Sequence, residues 1–242
     1  PEPSHRARPS TGTRNAMRGL ARDLRAVRVA LSGVLLSATL TASDSPRPVD
    51  FPTRDGGVIE ADLYGSGSEA VILAHGAVFD KQSWVPLAMA LESEGFRVLA
   101  LDFRGYGESK PGSDGPSARH LDILGAIDFL QQQGAERISL VGASRGANAV
   151  GRAAESDLGH RLGTVVLMAP GRIDQPELMQ AEKFVFILSR DEPGFDHMSH
   201  LYDRVPEPKE LKILDTDAHA QHAFDTDQGP KLTRWIISAV QP

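Results

Sequence analysis

The sequence predicts an α/β protein, a doubly wound and mostly parallel sheet with helices on both faces. Three observations carry that prediction. Short β-type runs alternate with longer helical patterns from residue 57 to residue 240. Several of those runs are apolar at every position, as expected of strands covered by helices on either side. The chain of 242 residues is 40% hydrophobic, enough to bury one full core.

In chain order, residues 57–64 alternate with period two and read as an antiparallel edge strand. The compact strand candidates are 70–74 (AVILA), 97–103 (RVLALDF), 137–141 (RISLV), 164–168 (TVVLM), 184–188 (FVFIL) and 210–214 (ELKIL). Helical patterns lie at 82–94, 118–133, 145–155, 176–183, 198–204 and 229–240. Within the second, Leu121, Leu124, Ile127 and Leu130 recur at spacings of three and draw one apolar face. No internal repeat interrupts the pattern.

Ahead of this body the chemistry changes. The net charge is −6 overall, which argues against a nucleic-acid binder. Yet the first 28 residues hold seven arginines against Glu2 and Asp23, so the body is more acidic than the total suggests. A charge-free run of twelve residues, 29–40, follows the arginines. It is shorter than the roughly 20 apolar residues that span a bilayer, so no integral membrane span is expected. Basic stretch, short apolar run and then small residues (Thr41, Ala42, Ser43) form the pattern of a secretory signal and predict a secreted or periplasmic protein. The alternatives are a basic extension with no targeting role on a cytoplasmic protein, or a membrane-surface anchor. Pro46, Pro48 and Pro52 mark the junction, dividing an N-terminal extension (1–50) from a folded domain (51–242).

There is no cysteine. Disulfides, thiolate metal sites and thiol nucleophiles are therefore excluded. His120, His160, His197 and His200 show no spacing typical of metal ligands; His197 and His200, an i, i+3 pair, read as surface residues. Gly105-Tyr106-Gly107 follows a strand but lacks the third glycine of a dinucleotide fingerprint, Lys110 standing there instead. No metal or organic cofactor is implied.

Ligands of open α/β sheets sit beyond the carboxyl ends of the strands, so chemistry belongs in the loops that follow them. Strand 137–141 runs into Gly142-Ala143-Ser144-Arg145-Gly146 and then a small-residue helix. This is G-x-S-x-G between a strand and a helix, a turn so tight that side chains at 142 and 146 would collide with the flanking elements. Such a turn lifts the serine hydroxyl clear of the sheet, at a helix N-terminus where N–H groups favour negative charge. A serine needs a base, and the base needs a carboxylate to orient it. Strand 184–188 is followed by Asp191, with Glu192 as the alternative acid, and strand 210–214 by His219, with His222 as the alternative base.

The order Ser144, acid, histidine resembles that of the α/β-hydrolase superfamily, in a small form without a cap. His75-Gly76-Ala77 is similar to that family's His-Gly turn, and Asp102-Phe103-Arg104-Gly105-Tyr106-Gly107-Glu108-Ser109 to its D-x-R-G-x-G-x-S signature. The resemblance implies Ser144 as nucleophile, His219 as general base and acid, and Asp191 as the residue that orients the imidazole. It implies an oxyanion hole from the backbone N–H groups of Ala77 and Arg145. Asp102 and Arg104 would brace loops through an ion pair, and His75 would pack beside the oxyanion turn. The family's usual glycine after the histidine is Ala220 here.

Capped members carry their lid after the strand equivalent to 164–168, where only residues 170–182 intervene here. An open site follows, shaped by 78–84, 110–117 and 194–204, with Phe79, Trp84, Phe195 and Met198 as candidate apolar lining. The expectation is a serine hydrolase acting on small or moderate carboxylic esters. Thioester, lactone or amide hydrolysis, acyl transfer and perhydrolysis on the same triad are the alternatives, as is a non-catalytic relative that binds a ligand or partner.

Overall fold

The computed structural model describes residues 46–156 and 162–242. The arginine-rich extension and its apolar run, on which the secretory reading rests, lie outside the described residues, as does His160. Eight strands form one sheet. They are β1 (Arg47–Pro52), β2 (Val58–Tyr64), β3 (Glu69–Ala74), β4 (Arg97–Leu101), β5 (Arg137–Ala143), β6 (Leu162–Met168), β7 (Ala181–Ser189) and β8 (Lys209–Leu214). The helices are α1 (Val85–Ser93), α2 (His120–Gln132), α3 (Arg145–Ala154), α4 (Phe195–Arg204) and α5 (Gly229–Val240). The strand order is β1-β2-β4-β3-β5-β6-β7-β8, with β2 antiparallel to both of its neighbours, β1 and β4, and all other pairings parallel.

Alternation along each strand feeds two separate apolar layers. Ala70, Ile72 and Ala74 of β3 pack with Ile123, Ile127 and Leu130 of α2 and with Ala147 and Val150 of α3. Val71 and Leu73 face the other way, toward Leu87 and Leu91 of α1 and Leu232 and Ile236 of α5. Every residue of β6 is buried, as a central strand between two helical layers requires. The predicted α2 stripe is accordingly the buried one, with Leu124, Ile127 and Leu130 inside and Leu121 partly so.

Two local expectations are corrected. Residues 176–183 do not form a helix: a 3₁₀ turn covers only Pro176–Leu178, and Met179 is extended. β7 has already begun at Ala181, which pairs with Leu162 of β6. The helix-favouring Ala-Glu-Lys triplet is overridden by this sheet pairing, a tertiary effect. At the other end, a strand precedes the predicted edge strand and crosses the 50/51 boundary drawn at the prolines. Pro48 and Pro52 lie in β1, on the outer edge of the sheet, where proline's missing N–H costs no ladder bond.

The link from β6 to β7 holds nothing but the short 3₁₀ turn, so no cap covers the carboxyl edge of the sheet. Among the described residues, no helix is long and apolar enough to cross a membrane.

The topology fixes where a site can form. From β3 the chain winds one way to β4, then returns past β3 to β5 and continues to β8. The carboxyl ends of β3 and β5 therefore adjoin at the point where the winding reverses, with Ala74 opposite Gly142. Such a switch point leaves a crevice between diverging loops.

Candidate active site

β5 ends at Ala143 and α3 begins at Arg145, leaving Ser144 alone to turn the chain. Its backbone is held at φ 52° and ψ −111°, a region costly for a residue with a Cβ, and its N–H donates to the Met168 carbonyl at 2.8 Å. Both predicted glycines are obligatory. A Cβ on Gly142 would lie 2.6 Å from the Gly146 carbonyl oxygen, and one on Gly146 only 2.1 Å from that of Ala74. The second contact shows how closely the turn is pressed against the end of β3.

The Ser144 Oγ lies 2.8 Å from Nε2 of His219, which the loop after β8 delivers. The other ring nitrogen, Nδ1, is 2.7 Å from Oε2 of Glu192. A carboxylate can only accept, so Nδ1 carries the proton and Nε2 is left to accept from the serine hydroxyl. Glu192 has a fully buried side chain, whereas the His219 side chain is 48% exposed. The remaining Glu192 oxygen accepts from the Ser189 N–H at 2.8 Å, and Ser189 Oγ donates to the Ala218 carbonyl at 2.6 Å. The acid loop and the histidine loop are thus tied together beneath the imidazole.

The acid differs from the sequence expectation. Asp191 is exposed and does not reach the imidazole; its backbone N–H donates to Thr216, and Glu192 takes the place assigned to it. The physical reason is the length of β7, which runs on to Ser189 rather than stopping at 188. Three residues past the true strand end is 192, and the inward turn buries that side chain. The alternative base also falls elsewhere: His222 is exposed, with its ring against Phe79 at 4.9 Å. Ala220, where the resemblance implied glycine, adopts φ 50°. The left-handed turn is kept, at a cost of about 1–2 kcal/mol for a residue with a Cβ.

The backbone N–H groups of Ala77 and Arg145 have no hydrogen-bond partner among the described residues. The turn that carries Ala77 is braced from three sides. His75 donates from Nδ1 to the Gly76 carbonyl at 2.7 Å and accepts the Phe103 N–H at Nε2. Burial pushes its pKa down, so it serves as a neutral strut. Gln221, two residues after His219, accepts the Gly76 N–H at 2.6 Å and donates to Ser83 Oγ at 2.8 Å. Tyr106 donates to the Ala77 carbonyl at 2.6 Å and accepts from the Arg145 guanidinium at 2.9 Å.

Sequence reasoning did not single out Gln221 or Tyr106 for this part. Both act across long sequence separations, and the signal available was only their proximity to named motifs.

Asp102 and Arg104 brace loops, but not by pairing with each other. Arg104 is wholly buried and bonds Asp122 through Nε at 2.8 Å and Asp55 through both terminal nitrogens, at 2.8 and 3.0 Å. These bonds hold the Asp55 pKa well below the usual carboxylate range, while burial pushes that of Asp122 up to about 6. Asp102 instead accepts the Lys81 backbone N–H at 2.7 Å.

The predicted apolar lining is also smaller than expected. Trp84 and Met198 are core residues, buried in the layer formed by α1 and α5. Phe79 remains partly exposed, and Phe195 packs partly buried against the same layer.

Residues 71–239 match the model of the alpha/beta hydrolase family. A 2-hydroxy-6-oxononadienedioate/2-hydroxy-6-oxononatrienedioate hydrolase of Pseudomonas putida is 30% identical over 110 residues, covering 44% of this chain and 38% of the relative. The chain spans about two fifths of the length of the curated relatives it matches. Among solved structures, an esterase of Pyrococcus furiosus superposes with a TM-score of 0.67 at 16% identity, covering 83% of this chain and 92% of the other. An esterase of Exiguobacterium antarcticum gives 0.64 at 15% identity, covering 81% and 100% respectively.

Proposed function

The chain belongs to the α/β-hydrolase family, and on that premise we propose that it is a serine hydrolase cleaving carboxylic esters through Ser144, His219 and Glu192. One observation carries the reading: the unbroken relay of 2.8 and 2.7 Å from the Ser144 hydroxyl through the imidazole to a buried carboxylate. The strained serine backbone supports it, because such strain persists where the surrounding structure enforces it and clusters at active sites.

In the proposed reaction Ser144 Oγ attacks the ester carbonyl carbon while His219 Nε2 takes the hydroxyl proton. The carbonyl oxygen becomes an oxyanion and is met by the N–H groups of Ala77 and Arg145, with the α3 N-terminus adding favourable potential. The intermediate collapses, the C–O bond to the alcohol breaks, and His219 returns its proton to the leaving oxygen. Water then attacks the acyl-enzyme with His219 again as base, releasing the acid and restoring Ser144. Glu192 keeps the imidazole in the tautomer that can accept at Nε2 and stabilises the imidazolium that forms. No step requires a metal or organic cofactor.

The test is hydrolysis of p-nitrophenyl acetate together with labelling by a serine-directed fluorophosphonate. Both are expected in the wild type and absent in Ser144→Ala. Hydrolysis retained by Ser144→Ala, or a wild type that takes no label, would sink the proposal.

A further inference from the structure

Along α3, beginning at the residue after Ser144, lies a cavity of about 400 Å³ lined by Arg119, His120, Arg145, Asn148, Arg152 and Arg172, with Ser117, Ala149 and Asp174 completing the wall. Arg145, Asn148, Ala149 and Arg152 follow the i, i+3, i+4, i+7 pattern of one helix face. The cationic wall is therefore a stripe along α3 that starts at the residue after Ser144.

The positive charge of this wall is almost unopposed. Asp174 is its single carboxylate, and it is bound to Arg172 at 2.8 Å on the exposed rim. Among the described residues, Arg119, Arg145 and Arg152 have no acidic partner. Of the nearby acids, Asp122 and Asp55 both bind Arg104, while Asp114 offsets part of the charge felt at His120.

Two buried polar nitrogens without partners add to this. The Nε of Arg119 and the Nδ1 of His120 are each shielded from solvent and lack a hydrogen-bond partner. Burial lowers the pKa of Arg119, and the neighbouring Arg145 charge lowers it further. Burial likewise lowers the pKa of His120, with Arg152 as the next contributor. Guanidiniums crowded together without counter-charges are costly unless an anion joins them.

Resting on the hydrolase reading above, we infer that this cavity is an anion subsite, and that the preferred substrates carry a carboxylate that the α3 arginines hold beside the scissile ester. Planar carboxylates match the guanidinium fork, and the site would grip the substrate through charge where apolar lining is scarce. Arg145 has a second connection, because its guanidinium reaches Tyr106 and through it the Ala77 carbonyl of the oxyanion turn.

The experiment compares charged esters with neutral counterparts by their ratio of kcat/KM. One arm places the carboxylate on the acyl side, mono-4-nitrophenyl glutarate against 4-nitrophenyl valerate. The other places it on the alcohol side, 4-acetoxybenzoate against its methyl ester. In at least one arm the charged ester is expected to win by about tenfold, the size of one net charge-assisted contact. That ratio should fall toward one in Arg119→Gln and Arg152→Gln, and in the wild type as salt rises from 50 to 500 mM.

Arg152 is exposed, so its replacement does not endanger the fold, and the salt series needs no variant. A ratio near one in both arms, or a preference that survives both substitutions, overturns the subsite while leaving a working esterase. No turnover of any ester, with no fluorophosphonate labelling, overturns the hydrolase reading and the subsite with it.

Discussion

Replacing Glu192 by glutamine changes one oxygen to an amide nitrogen with almost no change in shape. The structure dictates which way the amide must face. The oxygen that accepts the Ser189 N–H at 2.8 Å has to remain an oxygen, so the NH₂ group takes the position 2.7 Å from His219 Nδ1. An NH₂ there can only donate, which forces Nδ1 to accept and moves the imidazole proton to Nε2. That nitrogen then cannot take the Ser144 proton. The same inversion in a Ser-His-Asp protease lowers kcat by about 10⁴, and about 5.5 kcal/mol of transition-state stabilisation corresponds to that factor. Glu192→Gln should therefore fold, give an unchanged far-ultraviolet spectrum, and lose about three to four orders of magnitude in kcat on p-nitrophenyl acetate. Asp191→Asn is the matched control: the residue is exposed and does not reach the imidazole, so activity should stay within about twofold of wild type. The reasoning is refuted if the two variants exchange phenotypes, or if Glu192→Gln keeps more than about a tenth of wild-type kcat.

Four further outcomes follow from contacts elsewhere in the site. Gly146→Ala places a Cβ 2.1 Å from the Ala74 carbonyl oxygen, against backbone that cannot swing aside, so both activity and Tm should drop, the latter measured calorimetrically. Gln221→Leu strips the buried Gly76 N–H of its acceptor, which costs about 1–3 kcal/mol of stability by urea titration, and the loosened Ala77 turn should lower kcat more than it raises KM. Arg104→Met leaves Asp122 buried and unpaired, for a loss of about 3–5 kcal/mol, whereas Asp55→Asn probes the same cluster through pH. The Asp55 pKa is depressed in the folded state, so its contribution is fully present above its ordinary value of 3.8 and is lost as pH falls below it toward the folded value. The stability gap between wild type and Asp55→Asn should thus be constant near neutrality and shrink in acid.

Sequence alone determined what depends on neighbours in the chain. Apolar runs and helical periods specified a doubly wound sheet, because burial on both faces is written into each strand separately. The G-x-S-x-G turn identified Ser144; Gly142 is obligatory because its Cβ would meet Gly146 within the same strand–turn–helix unit, whereas the obstacle at Gly146 is the Ala74 carbonyl of β3, supplied by the fold. The absence of cysteine removed every thiol alternative at that turn. Tertiary structure decided what depends on approach between distant segments. A one-residue extension of β7, set by its pairing with β6 and β8, turned Glu192 inward and Asp191 outward. Sheet pairing likewise made a strand of residues 181–183, and packing against α5 and its neighbours put Trp84 in the core rather than in a substrate pocket. Gln221 lies 145 residues from the Gly76 N–H it holds, and no local pattern links the two. The same holds for Arg119, Arg145 and Arg152: in the chain they are scattered charges, and only the fold sets them around one cavity, with no acidic partner among the described residues.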